Sequence, residues 1–254
     1  MANDLQGRHA LVTGGGTGIG LAIAQMLVAH GAQVTITGRR GDVLAQAAEG
    51  TPGLHPLVMD VADEASVVQG CAQAIAARGP ITVCVANAGI AEGKSMAKMD
   101  MAFWRQMMAI NLDGAYLTAR ECLGGMLAEG WGRTIFVASI AGLKGLKGAP
   151  AYTASKHGMI GLMRGLSEEY MGMNLTFNAL CPGYVDTDIV TRNTESIAAR
   201  AGIDADKARQ MMVLTNRHKR LITADEVAAA AEWLIGPHSG SINGQTLEIA
   251  GGQM

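Results

Sequence analysis

Short apolar runs of four to seven residues alternate along the chain with longer stretches in which apolar positions return every three or four residues. The short runs are His9–Thr13, Gln33–Thr37, Leu54–Met59, Thr82–Ala86, Arg133–Ser139, Leu175–Cys181 and Thr246–Ile249. Their apolar, largely β-branched character with little polar alternation predicts strands covered on both faces. The helical pattern occupies Gly18–His30, Asp63–Arg78, Asp100–Ala128, Tyr152–Gly172 and Thr223–Ile235. Glycine and proline punctuate the joints at Gly31, Gly79–Pro80, Gly130–Gly132 and Pro182–Gly183. Strand and helix in strict alternation predict the α/β class, with a doubly wound parallel sheet of seven strands in a single domain over residues 1–254. Residues 186–220 are too long for an ordinary connection, and the same reading makes them a lid within that domain.

Composition narrows the picture. Apolar residues make up 49% of the chain and charged residues 17%, which suits a buried sheet under alanine-rich helices. The net charge of -2 leaves no basic field for nucleic acid. Cys71, Cys84, Cys122 and Cys181 are scattered among apolar neighbours, as expected of reduced core thiols in a cytoplasmic protein. Neither they nor the histidines form a metal-ligand grouping, so no metal is expected. Met1–Arg8 is polar and leads directly into a strand, giving no sign of a signal peptide. No apolar stretch approaches the roughly 20 residues of a membrane helix.

The first strand ends in Gly14-Gly15-Gly16-Thr17-Gly18-Ile19-Gly20, and these residues open the first helix. Glycines there allow a tight turn and close backbone approach to a pyrophosphate seated on the helix N-terminus. A glycine string alone is weak, but the strand–turn–helix setting supports a Rossmann-type dinucleotide site. Tyr152 and Lys156 stand four residues apart at the start of a helix and so share one face. A phenol titrates near 10, about three units too high for a base at neutral pH. A neighbouring ammonium favours the phenolate, so Lys156 is expected to lower the Tyr152 pKa. Ser139 ends the preceding strand thirteen residues earlier, where its hydroxyl can hold a substrate oxygen.

Gly-x-x-x-Gly-x-Gly after the first strand, followed in order by Ser139, Tyr152 and Lys156, resembles the short-chain dehydrogenases/reductases. The resemblance spans nearly the whole chain. It implies an oxidoreductase that moves a hydride between a nicotinamide cofactor and a carbonyl/alcohol pair. In that pattern Asn111 completes the catalytic set through a water leading to the lysine. Asp60 and Val61 match the adenine-contacting pair, and Asn87-Ala88-Gly89 the turn that ends the fourth strand. Pro182, Gly183, Val185 and Thr187 match the segment that meets the nicotinamide. Gly38 stands where NAD-preferring relatives carry Asp, and Arg39-Arg40 follow it as a fork suited to a 2′-phosphate. The alternative is two solvated charges on the next helix. NADP(H) is therefore favoured with NAD(H) left open, the more so because Gly16 stands where many NADP-dependent relatives have a basic or hydroxyl residue.

The wording around Tyr152 and Pro182 is similar to bacterial 3-oxoacyl reductases and aromatic-polyketide ketoreductases, and also to 3-hydroxyacyl dehydrogenases. This points to NADPH-dependent reduction of a 3-oxoacyl thioester or related ketone. An NAD-dependent hydroxyacyl or secondary-alcohol dehydrogenase stays open, and a non-catalytic nucleotide sensor is the third reading. Lys94, Lys98, Lys144, Lys147, Arg217 and Lys219 collect on loops expected at the carboxyl ends of the strands. They suit either an anionic CoA or acyl-carrier substrate or mere solubility, with Arg220 pairing with Asp225 or Glu226. Tyr184, Met211 and Met212 are candidate substrate contacts, though the methionines equally suit lid packing. His157 reads as packing or interface. Ala154, Gly158, Gly161 and Gly165 form a small-residue stripe that suits a symmetric partner helix or the chain's own sheet. The resemblance implies a homotetramer.

Overall fold

The computed structural model describes residues 4–187, 190–191, 194, 198 and 202–252. The strands are β1 (His9–Thr13), β2 (Gln33–Gly38), β3 (Leu54–Val58), β4 (Ile81–Ala86), β5 (Gly132–Val137), β6 (Leu175–Pro182) and β7 (Thr246–Ile249). They form one parallel sheet in the order β3-β2-β1-β4-β5-β6-β7. The order reverses between β1 and β4. In such sheets the crevice at the carboxyl ends of those two strands is where ligands bind.

The helices are α1 (Gly18–Ala29), α2 (Gly41–Ala48), α3 (Glu64–Arg78), α4 (Met101–Met108), α5 (Gly114–Glu129), α6 (Pro150–Glu169), α7 (Ala205–Thr215) and α8 (Ala224–Ile235). Successive side chains on a strand point to opposite faces, so β1 feeds two cores. Ala10 and Val12 pack with Ile23, Leu27 and Val227 from α1 and α8. Leu11 packs on the other side with Val67, Cys122 and Met159 from α3, α5 and α6. All four cysteines are buried and free. Asp63 caps α3 by accepting from the Ala65 N–H at 3.1 Å, and Thr223 with Glu226 forms a capping box on α8.

Two expectations change in detail. The stretch Asp100–Ala128 is α4 and α5 separated by a π-helical turn at Ala109–Asp113, with Asn111 at its centre. The apolar period continues through that turn, which is why the pattern reads as one helix. The expected lid contains a real helix, α7, capped by the Asp204 carboxylate on the Lys207 N–H at 2.7 Å. The lid residues 188–189, 192–193, 195–197 and 199–201 lie outside the described residues.

Candidate active site

A cleft of about 640 Å³ lies over the carboxyl ends of β1, β2 and β3. Its walls include Gly14, Gly16, Thr17, Gly38, Arg39, Arg40, Asp60, Val61, Ala88 and Gly89. Gly14 turns at φ +64° and Gly18 at φ +54°, a region open to glycine at no steric cost. A Cβ on Gly20 would collide with the Gly14 carbonyl oxygen and the Asn87 amide. Gly18 and Gly20 therefore shape the turn from beneath. Asn87 holds it shut, its Nδ2 donating to the Thr13 carbonyl at 2.9 Å and the Gly14 carbonyl at 3.2 Å. Thr13 answers with its hydroxyl, which accepts from the Asn87 and Ala88 N–H groups at 3.1 Å each.

This cleft suits a dinucleotide on the chain's own chemistry. The α1 N-terminus opens at Thr17 with no side-chain cap, so its first N–H groups and positive dipole end remain for an anion. The Thr37 hydroxyl is buried at the same wall without a hydrogen-bond partner among the described residues. Arg39 and Arg40 make no ion pair among the described residues.

The cleft shares Gly89, Ile90, Ala91, Glu92 and Gly93 with a second cavity of about 510 Å³. Ser139, Tyr152 and Lys156 line it, with Ile19, Asn87, Lys147, Pro182, Gly183, Tyr184, Val185, Thr187 and Met212. Pro150 sits at the first position of α6, where its missing N–H costs nothing, and places Tyr152 and Lys156 one turn apart. The Ser139 Oγ accepts from the Ala141 N–H at 3.1 Å, which leaves its own proton to donate. The Lys156 ammonium donates to the Val137 carbonyl at 2.8 Å and sits 5.9 Å from the Tyr152 ring centroid. Burial lowers the Lys156 pKa to about 8. Burial raises the Tyr152 pKa, partly offset by the Ser139 hydroxyl. Burial is thus the largest influence on the Tyr152 phenol in this structure, and it acts against the lowering expected from Lys156.

Asn111 is 0% exposed and fully engaged. Its Nδ2 donates to the Ile90 carbonyl at 2.9 Å and to the Ser155 Oγ at 3.1 Å, while its Oδ1 accepts from the Ile90 N–H at 2.9 Å. A Cβ on Gly89 would stand 3.2 Å from the Asn111 Oδ1 and 3.7 Å from the Lys156 Nζ, so Gly89 is where asparagine and lysine meet. Ser155 in turn donates to the Tyr152 carbonyl at 2.8 Å. Thr13, Ser155 and Asn216 support the site but had no signal in the sequence, because each acts on a partner far along the chain.

The peripheral expectations divide. Met212 is 2% exposed and faces the cavity, whereas Met211 is 55% exposed and faces away. Lys147 lines the cavity, and Lys144 does not. Lys94 pairs with Asp100 at 3.2 Å, and Arg220 with Glu226 at 2.6 Å, as the plain alternative to substrate binding requires. His157 is exposed, with Nδ1 on the Thr153 carbonyl at 2.9 Å. Gly158 of the small-residue stripe packs on Leu112 of the same chain, while Gly161 and Gly165 face open space.

A doubly wound sheet with a glycine turn at its switch point and a Ser–Tyr–Lys cavity beside it defines a dinucleotide-dependent oxidoreductase. The short-chain dehydrogenase family model matches residues 8–198, and this chain belongs to that family. It is 35% identical to an acetoacetyl-CoA reductase of Rhizobium meliloti, over 97% of this chain and 98% of that one. It is also 35% identical to a D-beta-hydroxybutyrate dehydrogenase of Cupriavidus necator, over 98% of each. Among solved structures, an actinorhodin polyketide ketoreductase with NADPH is similar at a TM-score of 0.94 and 30% identity. That match covers 100% of this chain and 99% of that one. No helix among the described residues is long and apolar enough to cross a membrane.

Proposed function

We propose that this enzyme is an NADPH-dependent reductase of 3-oxoacyl thioesters or closely related ketones. One observation carries the reading: the Tyr152 phenol and the Ser139 hydroxyl face one largely apolar cavity that is continuous with an arginine-walled cleft. Reduction needs a proton donor at the substrate oxygen, and a protonated Tyr152 is one. Relatives acting on acetoacetyl-CoA and hydroxybutyrate share the 3-oxygenated acyl pattern.

Gly14, Thr17, Arg39, Arg40, Asp60, Val61, Gly89, Lys156, Gly183, Val185 and Thr187 would hold the cofactor. When bound, it supplies the hydride to the carbonyl carbon. Ser139 donates a hydrogen bond to the carbonyl oxygen as negative charge develops on it. Tyr152 transfers its O–H proton to that same oxygen. The phenolate left behind is stabilised by the Lys156 ammonium, so lysine acts on the charge as it forms rather than on the resting tyrosine. Asn111 holds the Ile90 backbone and the Lys156 surroundings in register and supports reprotonation from solvent.

Lys147 at the cavity mouth suits an anionic carrier such as CoA or an acyl-carrier phosphopantetheine, with Tyr184 and Met212 on the acyl wall. The segment 186–220 acts as the substrate lid, with Met212 on its inner face. Gly161 and Gly165, open in the single chain, suit a symmetric partner in a homotetramer. Four buried free thiols fit the reducing cytoplasm. The test compares acetoacetyl-CoA with a neutral ketone, using the enzyme and Lys147→Gln. The reading expects acetoacetyl-CoA to be the better substrate and to lose about threefold to tenfold in kcat/KM on substitution. No NADPH oxidation with any 3-oxoacyl thioester would overturn it.

A further inference from the structure

At the end of the sheet opposite the catalytic cavity, a buried histidine opens the first strand. His9 is 2% exposed; its Nδ1 lies 2.8 Å from the Gly79 carbonyl oxygen, and its Nε2 lies 2.8 Å from the Thr35 Oγ. A carbonyl only accepts, so Nδ1 carries the proton, and Nε2 of the neutral ring accepts from the Thr35 hydroxyl. Thr35 is fully buried, and its Oγ accepts in turn from the Arg78 Nε–H at 3.2 Å. Each atom along the chain Arg78–Thr35–His9–Gly79 thus has one role, and the roles hold together only while the ring is neutral.

This chain of bonds sits where the backbone ladder is irregular. His9 pairs with Ile81 but Ala10 with Val83, so the register of β1 on β4 slips by one residue at Thr82. The Thr82 hydroxyl is buried there with no hydrogen-bond partner among the described residues. Gly79 turns at φ +82° between the end of α3 and the foot of β4. Side chains from β1 and β2 therefore hold the α3–β4 connection where strand pairing lapses. A proton on Nε2 turns that atom into a donor. The buried Thr35 proton then loses its acceptor, and two cations converge on one hydroxyl. Burial holds the ring's pKa below the ordinary 6.5; the Gly79 carbonyl opposes this, while Arg78 at the end of α3 and His55 on β3 add to it. None of His9, Arg78 and His55 makes an ion pair among the described residues.

We propose that Arg78, Thr35, His9 and Gly79 form an acid-sensitive clasp, which ties the feet of β1, β2 and β4 to the end of α3 while His9 is neutral and loosens when His9 takes a proton from solvent. The sign of the effect is fixed. Below the ordinary histidine value the unfolded chain binds a proton that the folded chain does not. Stability is therefore untouched above that value and is lost as the pH falls from it toward the lower folded value. This window lies on the acid side of the Lys156 titration. The clasp governs how the fold survives acid without touching the reacting groups, and it stands whether or not the reductase reading does.

The test is an NMR titration of the histidine C2–H signals in the whole enzyme, with the His9 signal assigned by its absence from His9→Gln. Urea midpoints taken between about pH 7 and about pH 5 accompany it. The expected result is a His9 signal that titrates below free histidine, and a midpoint that falls less with acid in His9→Gln than in the unsubstituted enzyme. Arg78→Met removes the cation on Thr35 and should move the His9 titration upward, which keeps the clasp testable should His9→Gln fail to fold. A His9 signal that titrates at or above the free value would overturn the proposal. So would an acid dependence of the midpoint that is the same in His9→Gln and the unsubstituted enzyme.

Discussion

Replacing Gly38 with Asp tests what sets cofactor choice. Gly38 closes β2 and lines the cleft beside Arg39 and Arg40. A Cβ there would meet only Leu44 side-chain carbons at 3.7 and 4.0 Å, ordinary contact distances. The substitution is therefore accommodated, and its effect is electrostatic. A carboxylate about 5 Å from a 2′-phosphate, at an effective dielectric of about 20, is repelled by about 3 kcal/mol per unit charge, less after salt screening. The same carboxylate can accept hydrogen bonds from the ribose hydroxyls of NADH. The NADPH/NADH ratio of kcat/KM should fall by about a hundredfold, measured by initial rates with one ketone at fixed ionic strength. Raising the salt should restore part of it. A ratio within twofold of the starting value would refute the claim that the 2′-phosphate sits beside Gly38.

Two further substitutions probe the site from other sides. Lys156→Met should stabilise the cofactor-free protein near pH 7 by about 1–2 kcal/mol while removing turnover, because it replaces a buried charge with an apolar chain of similar volume. The sign follows from the depressed pKa. With the folded value about 8 and the unfolded value near 10.4, the unfolded chain binds more protons between those limits. Stability in the unsubstituted enzyme should therefore rise across that window, and in Lys156→Met this rise should vanish from urea midpoints taken at several pH values. Gly20→Ala should cost about 1–3 kcal/mol of stability and weaken NADPH binding more than tenfold, since its methyl displaces the Gly14 carbonyl and the Asn87 amide. Isothermal titration with NADPH reads that loss directly.

Much of this architecture is legible in the chain because parallel strands buried on both faces announce themselves as apolar runs. β1 and β7 begin and end where that pattern does. Tyr152, Lys156 and Ser139 are legible for a different reason: short spacings on one helix and one strand end bring them together. What escapes is whatever depends on distant partners. The π turn at Asn111 keeps the apolar period, so only its hydrogen bonds reveal it. Asn216 looks like an ordinary helix-end polar residue until it is found on Tyr184, 32 positions away. Met211 and Met212 are equivalent as letters, and only the phase of α7 turns one inward. The pKa of Tyr152 depends also on burial, which raises it and which spacing does not report.

In the proposed reaction Tyr152 gives its proton to the substrate oxygen. Reduction of an acetoacetyl thioester by Tyr152→Phe, followed as NADPH oxidation, tests it most directly, with NADPH affinity measured on the same sample. The expected result is a fall in kcat of about a thousandfold with the cofactor still bound. Turnover within tenfold of the unsubstituted enzyme would contradict it.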